Sequence, residues 1–167
     1  ARHDGLTGLL NRHALESALA NAHAHAVRER NDYGLLMIDI DHFKNVNDTY
    51  GHACGDNVIR ALSNMLRQRL RKVDRLGRYG GEEFVAVLPG CNSSDACQLL
   101  ESIREAFNAL QFSYGGQQFH CSFSAGISAC EDDEWAEEEL LERADRALYQ
   151  AKQSGRNRLC RDTGAAD

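Results

Sequence analysis

Two adjacent glycines, Gly80 and Gly81, stand between two strand-like runs at residues 75–79 and 84–88, and two glutamates, Glu82 and Glu83, follow them at once. Glycine carries a backbone-entropy cost and is kept where φ is positive or where the backbone must approach another group closely. A diglycine between strands fits a tight hairpin loop. Adjacent carboxylates repel one another unless a cation lies near them. The run Arg78-Tyr79-Gly80-Gly81-Glu82-Glu83-Phe84 therefore predicts a hairpin whose mouth carries metal-binding acids.

A second source of acid lies upstream. Residues 33–40 (YGLLMIDI) form an apolar, strand-like run that ends in Asp39-Ile40-Asp41. From Asp41 to Arg71 the pattern is helical, with Val58, Leu62, Met65, Leu66 and Leu70 along one face. A strand, a crossover and a second strand result, and a right-handed crossover makes the two strands parallel. Asp39, Asp41, Glu82 and Glu83 are then predicted to converge at one sheet edge.

The remaining pattern is regular. Residues 12–30 read as a helix with Leu15, Leu19, Ala22 and Ala26 on one face, and Ser93-Ser94-Asp95 opens another with Leu99, Leu100, Ile103 and Phe107 inward. Residues 112–128 carry a Gly115-Gly116 turn, after which Phe119, Cys121, Phe123 and Ala125 alternate as in a half-buried strand. A final helix is expected over 135–152 and an edge strand over 158–160, with residues 162–167 a disordered tail. No repeat or linker divides the chain, so residues 1–161 are expected to form one domain.

Composition excludes several classes. At 167 residues, 43% hydrophobic and 26% charged, the chain fills one domain and is short for two. A formal charge of −6, with no Lys/Arg block interleaved with aromatics, argues against a nucleic-acid partner. Any nucleotide would be held by local cations or metal. No run is long and apolar enough to span a membrane and no signal-like segment opens the chain, so a cytoplasmic domain is expected, one that could belong to a membrane-anchored protein. The six cysteines show no C-x-x-C and read as reduced thiols.

Two further clusters each admit two readings. Asn47 and the Gly51-His52-Ala53-Cys54-Gly55-Asp56 run are an ordinary helix start at about Asp56. Alternatively they present an amide and a carboxylate to a guanine, whose N1–H and exocyclic amine a carboxylate accepts. Lys152 and Arg156 complement a helix C-terminus, or they neutralise a triphosphate brought over the acidic edge. No Walker-type or dinucleotide glycine loop is present.

With these residues assembled, the chain closely resembles the GGDEF domain of diguanylate cyclases, which condense two GTP into cyclic di-GMP and two pyrophosphates. The resemblance runs from Asp4 to Arg158: Asp4-x-Leu6-Thr7-x-Leu9-x-Asn11-Arg12, Asp39-x-Asp41-x-Phe43-Lys44-x-x-Asn47-Asp48, Gly51-His52-x-x-Gly55-Asp56, the GGEEF signature at 80–84, and Ala144-Asp145-x-Ala147-Leu148-Tyr149-x-Ala151-Lys152 leading into Gly155-Arg156-Asn157. Position 82 holds Glu where the family name has Asp, a variant the family uses freely. The implied fold is α/β, a palm-like nucleotidyl cyclase fold with a ferredoxin-like core, its central, mostly antiparallel sheet flanked by helices.

The resemblance implies that Asp39, the Ile40 carbonyl and Glu83 hold Mg²⁺, with Mn²⁺ an alternative. It assigns Glu82, Glu83 and Lys44 to catalysis. Asn47 and Asp56 would read guanine, Lys44, Lys152 and Arg156 would contact phosphates, and Phe43 and Gly81 complete the substrate site. One such site holds one GTP, so a homodimer is implied. An upstream sensor or dimerisation domain in a longer protein is expected as well. Arg71-x-x-Asp74 matches the family's inhibitory product site, and also reads as a surface ion pair. Ser102 stands where many members have a further arginine, which points to weaker inhibition or to a role for Arg104. The competing class is a silent module that binds GTP or cyclic di-GMP; an ATP cyclase is disfavoured by Asn47 and Asp56.

Overall fold

The computed structural model describes residues 1–130 and 136–162. Strand β1 (Tyr33–Ile40) is buried along its whole length, which is why it reads as a continuous apolar run. It pairs antiparallel with β3 (Glu83–Pro89) on one side and with β6 (Phe123–Cys130) on the other. β2 (Arg75–Arg78) pairs antiparallel with β3, and β7 (Arg158–Arg161) pairs parallel with β6. The order is β2-β3-β1-β6-β7, a mostly antiparallel sheet. β1 and β2 run parallel, as the crossover predicts, but β3 inserts between them.

Side-chain alternation along β1 and β3 divides the core between two faces. Leu35, Met37, Val85 and Val87 pack with Leu15 and Leu19 of α1 (Arg12–Glu29) and Leu140, Ala144 and Leu148 of α5 (Glu137–Gln153). Leu36, Ile38, Phe84 and Ala86 pack with Val58, Leu62 and Leu66 of α3 (His52–Arg69) and Leu100, Ile103 and Phe107 of α4 (Ser93–Ala109). Each fully buried Leu, Ile or Phe contributes about 1.5–3 kcal/mol. The result is a stiff sheet whose edge can hold charged groups in fixed places.

Three local expectations are corrected. The crossover is two helices, α2 (Phe43–Tyr50) and α3, because Gly51 adopts φ 93° between them. Its amide closes α2 on the Asn47 carbonyl and its own carbonyl accepts from Gly55. α3 consequently starts at His52, one turn ahead of Asp56. Residues 112–119 form a separate hairpin, β4 (Phe112–Tyr114) and β5 (Gln117–Phe119), and β6 is covered on both faces rather than half-buried. The diglycine hairpin exists, yet neither Gly80 nor Gly81 has positive φ, and a side chain at Gly81 would meet open space.

Trp135, expected to start the last helix, lies outside the described residues, as does the tail over 163–167. Asp162 is tied down: its amide donates to the Ile127 carbonyl at 2.8 Å and its carboxylate pairs with Arg143. Among the described residues the six cysteines form no disulfide.

Candidate active site

Asp39 and Glu83 are register partners across the β1–β3 ladder. Directly opposed residues project from the same face of a sheet, so both carboxylates occupy one spot on the edge. The signature turn is pinned there by backbone and side chain alike. The Ile40 amide donates to the Glu82 carbonyl at 3.2 Å, the Tyr79 amide to the Glu83 carbonyl at 2.8 Å, and the Arg78 guanidinium to the Gly81 carbonyl at 2.8 Å.

The edge carries an excess of negative charge. Burial pushes the Asp39 carboxyl above its ordinary value; Lys152, whose Nζ donates to Oδ2 at 2.6 Å, and more weakly Arg156 act against this, while Asp41 adds to it. Burial also raises Glu83, and the charge on Asp39 raises it further. Two acids that resist ionisation side by side are the arrangement a nearby cation relieves.

Asp41 reaches the same edge but faces other partners. Its Oδ1 accepts from Ser124 Oγ at 2.6 Å, and its Oδ2 accepts from Ser122 Oγ at 2.7 Å and the Asn157 amide at 2.9 Å. Of the four acids expected to converge, Asp39 and Glu83 face each other, Glu82 acts on Glu83 only weakly through its charge, and Asp41 ties the end of β1 to the start of β6 and to the loop before β7. Among the described residues no three histidine, cysteine or acidic side chains gather closely enough to hold an ion by themselves. Two carboxylates and the Ile40 carbonyl do suit a hard, oxygen-seeking divalent cation that completes its shell with water and phosphate.

The base-reading candidates lie across the Gly51 turn. Asn47 on α2 lays its amide over Gly55 on α3, where any Cβ would collide with Asn47 Oδ1 and crowd the Phe43 ring. That Oδ1 is buried without a hydrogen-bond partner. A buried polar atom left unpaired costs about 1–3 kcal/mol, a cost the packing of α2 on α3 carries at this point. Asp56 sits partly exposed on the first turns of α3. Phe43 is buried beneath them. Lys44 is not drawn to the acids: its exposed side chain pairs with Asp48 at 3.6 Å.

Arg71 and Asp74 form a satisfied unit. Asp74 accepts from the Arg71 backbone amide and guanidinium, both at 2.7 Å, and Arg71 also donates to the Pro89 carbonyl. Pro89 pairs with Tyr33 at the far end of β1 from Asp39, about 20 Å away at the strand rise. Ser102 donates to its own helix, and Arg104 is engaged with Glu101 and Asn157 rather than with Arg71. Beside Arg71 opens a cavity of about 710 Å³ lined by Arg2, His25, Arg75 and Pro89.

Arg78, Asp4 and Asn157 have structural roles at this site that their motifs alone do not reveal. Arg78 bridges the Gly81 carbonyl and the Asp4 carboxylate, and Asn157 bonds to both Asp41 and Arg104. Charge complementarity between Asp4 in the first motif and Arg78 beside the signature is the sequence signal for this pair.

A mostly antiparallel sheet clothed in helices carries facing carboxylates on one edge beside a cationic helix end, the α/β architecture expected from the sequence. The family model described as diguanylate cyclase, GGDEF domain, matches residues 1–158. The chain belongs to the GGDEF family of diguanylate cyclase domains. It is 47% identical over 156 residues to diguanylate cyclase DgcP of Pseudomonas aeruginosa, covering 93% of this chain and 23% of that protein. It is 40% identical over 156 residues to response regulator PleD of Caulobacter vibrioides, covering 92% of this chain and 34% of that protein. The chain therefore spans a minor part of each. Among solved structures, the GGDEF domain of DgcB from Caulobacter crescentus, in complex with c-di-GMP, superposes with a TM-score of 0.94 at 34% identity over 98% of this chain and 94% of that one. The active GGEEF domain of a diguanylate cyclase from Vibrio cholerae gives 0.88 at 35% identity over 94% and 99%.

Proposed function

We propose that residues 1–161 act as one catalytic unit that condenses two GTP into cyclic di-GMP, releasing two pyrophosphates, as a two-fold dimer with one GTP per subunit. The Asp39–Glu83 pair carries this reading, because two opposed carboxylates stay raised by burial even with Lys152 beside Asp39, and a bound divalent cation would relieve both. With the Ile40 carbonyl they would hold Mg²⁺ or Mn²⁺, which when bound supplies activation of the ribose 3′-hydroxyl and charge neutralisation on the departing pyrophosphate.

The chain's own groups do the rest. Asn47 and Asp56 orient the guanine, Asn47 through its side-chain amide and Asp56 through its carboxylate. Phe43 backs this pair, and Gly81, with open space above it, lets the triphosphate lie close to the turn. Lys152 and Arg156 bind the β- and γ-phosphates, and Lys44 must leave Asp48 to join them. Glu82 assists removal of the 3′-hydroxyl proton. The Arg71–Asp74 unit receives the cyclic product and slows turnover.

The rival reading is a GTP or cyclic di-GMP sensor without turnover, and the ion pair by which Lys152 already neutralises Asp39 favours it. GTP turnover with Mg²⁺ at high protein concentration, following cyclic di-GMP and pyrophosphate, separates the two. Product from the parent and none from Glu82→Ala or Glu83→Ala supports the cyclase. Bound GTP without product, even when a dimeric coiled coil is fused ahead of Ala1, supports the sensor. Among the described residues no helix is long and apolar enough to cross a membrane.

A further inference from the structure

The turn that carries Arg156 is held in an unfavourable backbone conformation. Gly155, Arg156 and Asn157 have φ of 117°, 64° and 49° in succession. Single left-handed residues are common after helices, but two consecutive ones with side chains persist only where their surroundings over-determine them. The Arg156 amide closes on the Ala151 carbonyl at 3.0 Å, which explains the first of them as a helix cap. Asn157 needs a separate explanation.

That explanation is a clamp from two sides. From the sheet edge, Asp41 Oδ2 accepts from the Asn157 amide at 2.9 Å. From α4, Arg104 Nη1 donates to Asn157 Oδ1 at 2.6 Å and to the Asn157 carbonyl at 3.4 Å. Both jaws are themselves fixed: Ser122 and Ser124 orient Asp41, and Glu101 grips the Arg104 guanidinium through Nε and Nη2. An exposed Glu–Arg pair one turn apart does little. Here the Arg104 side chain is only 15% exposed and reaches a residue 53 positions away.

We propose that Arg104 is a positioning residue for Arg156, acting through Asn157, with Asp41 as the opposing jaw. This rests on the reading that Arg156 binds the terminal phosphates of GTP. Arg104 touches no nucleotide in this scheme. It keeps the turn left-handed so that the Arg156 guanidinium stays within the field of Asp39, where the phosphates would lie. Released from Arg104, the turn relaxes and the guanidinium leaves the edge.

The test compares binding of α,β-methylene-GTP, whose pyrophosphate cannot leave, with binding of GMP, both in Mg²⁺. Arg104→Met is expected to weaken the triphosphate about tenfold, the worth of one charged hydrogen bond, and to leave GMP unchanged. Asn157→Gly, which tolerates the left-handed turn but lacks Oδ1 and leaves Arg104–Glu101 intact, is expected to do the same. Arg104→Met combined with Arg156→Ala should bind no more weakly than Arg156→Ala alone. Equal weakening of both nucleotides, or additive losses in the double variant, would overturn the proposal. Should Arg156→Ala itself leave the triphosphate affinity unchanged, the phosphate role of Arg156 falls first and the clamp falls with it.

Discussion

Lys152 Nζ lies 2.6 Å from Asp39 Oδ2, joining the last turn of α5 to the end of β1 across 113 positions of sequence. Lys152 holds the Asp39 carboxyl down against burial and against the charge on Asp41, and even so it stays above its ordinary value. In Lys152→Met the larger lowering influence is gone, only the weaker one of Arg156 remains, and the carboxyl rises further. The acid limb of the pH profile for GTP turnover is expected to move to higher pH, and turnover at neutral pH to fall about 10- to 100-fold. A lower rate with an unmoved acid limb would mean that Lys152 serves only the phosphates.

Glu83 gives a stability prediction of definite sign. Burial first, and then the charge on Asp39, raise its carboxyl above the ordinary 4.5. A raised acid binds more protons folded than unfolded, so its favourable contribution is complete below pH 4.5 and is lost as pH rises through the folded value. Glu83→Gln is therefore expected to withstand more urea than the parent at pH 7. The gap should close as pH is lowered to the ordinary carboxylate range. Turnover in the same variant should fall about a hundredfold or more, since the acid is useful only when charged. A urea midpoint shift independent of pH would show that packing, not charge, separates the two proteins.

How much of this was legible in sequence depends on whether a feature is local or relational. The strands at 33–40 and 83–89 announce themselves by apolar runs, and the parallel sense of β1 and β2 follows from chain connectivity, so the Asp39–Glu83 meeting could be reasoned out. A helix start in the Gly51–Asp56 run is legible from its glycines, but its place is not: only the backbone shows φ turning positive at Gly51 and α3 starting at His52 rather than at about Asp56. The fate of Asp41 was hidden for another reason. Its alternation with Asp39 suggested a shared site, whereas serines 81 and 83 positions later set where its oxygens point. From sequence, Arg104 stands in for the arginine absent at Ser102. Its partner Asn157 lies in another motif, and no spacing within α4 reveals it.

Asp4 and Arg78, 74 positions apart, connect the start of the chain to the signature turn. Burial alone would raise the Asp4 carboxyl, but the Thr7 hydroxyl and amide, together with Arg78, outweigh it and hold it below its ordinary 3.8. Arg78 Nη1 lies 3.2 Å from Asp4 Oδ1, while Nε and Nη2 of the same guanidinium grip the Gly81 carbonyl, so one planar group is fixed at both ends. Asp4→Asn is expected to cost about 1.5–3 kcal/mol at pH 7, the worth of a charged hydrogen bond. Because the folded carboxyl is depressed, this contribution is present above pH 3.8 and is lost as pH falls through the lower folded value. Urea unfolding of parent and variant should therefore converge in strong acid. If Arg78 transmits the position of Asp4 to the turn, the variant also loses kcat, because Glu82 and Glu83 shift with Gly81, and KM rises as well where the triphosphate lies against Gly81. A variant with kcat intact would remove the Asp4–Arg78 link from the catalytic turn.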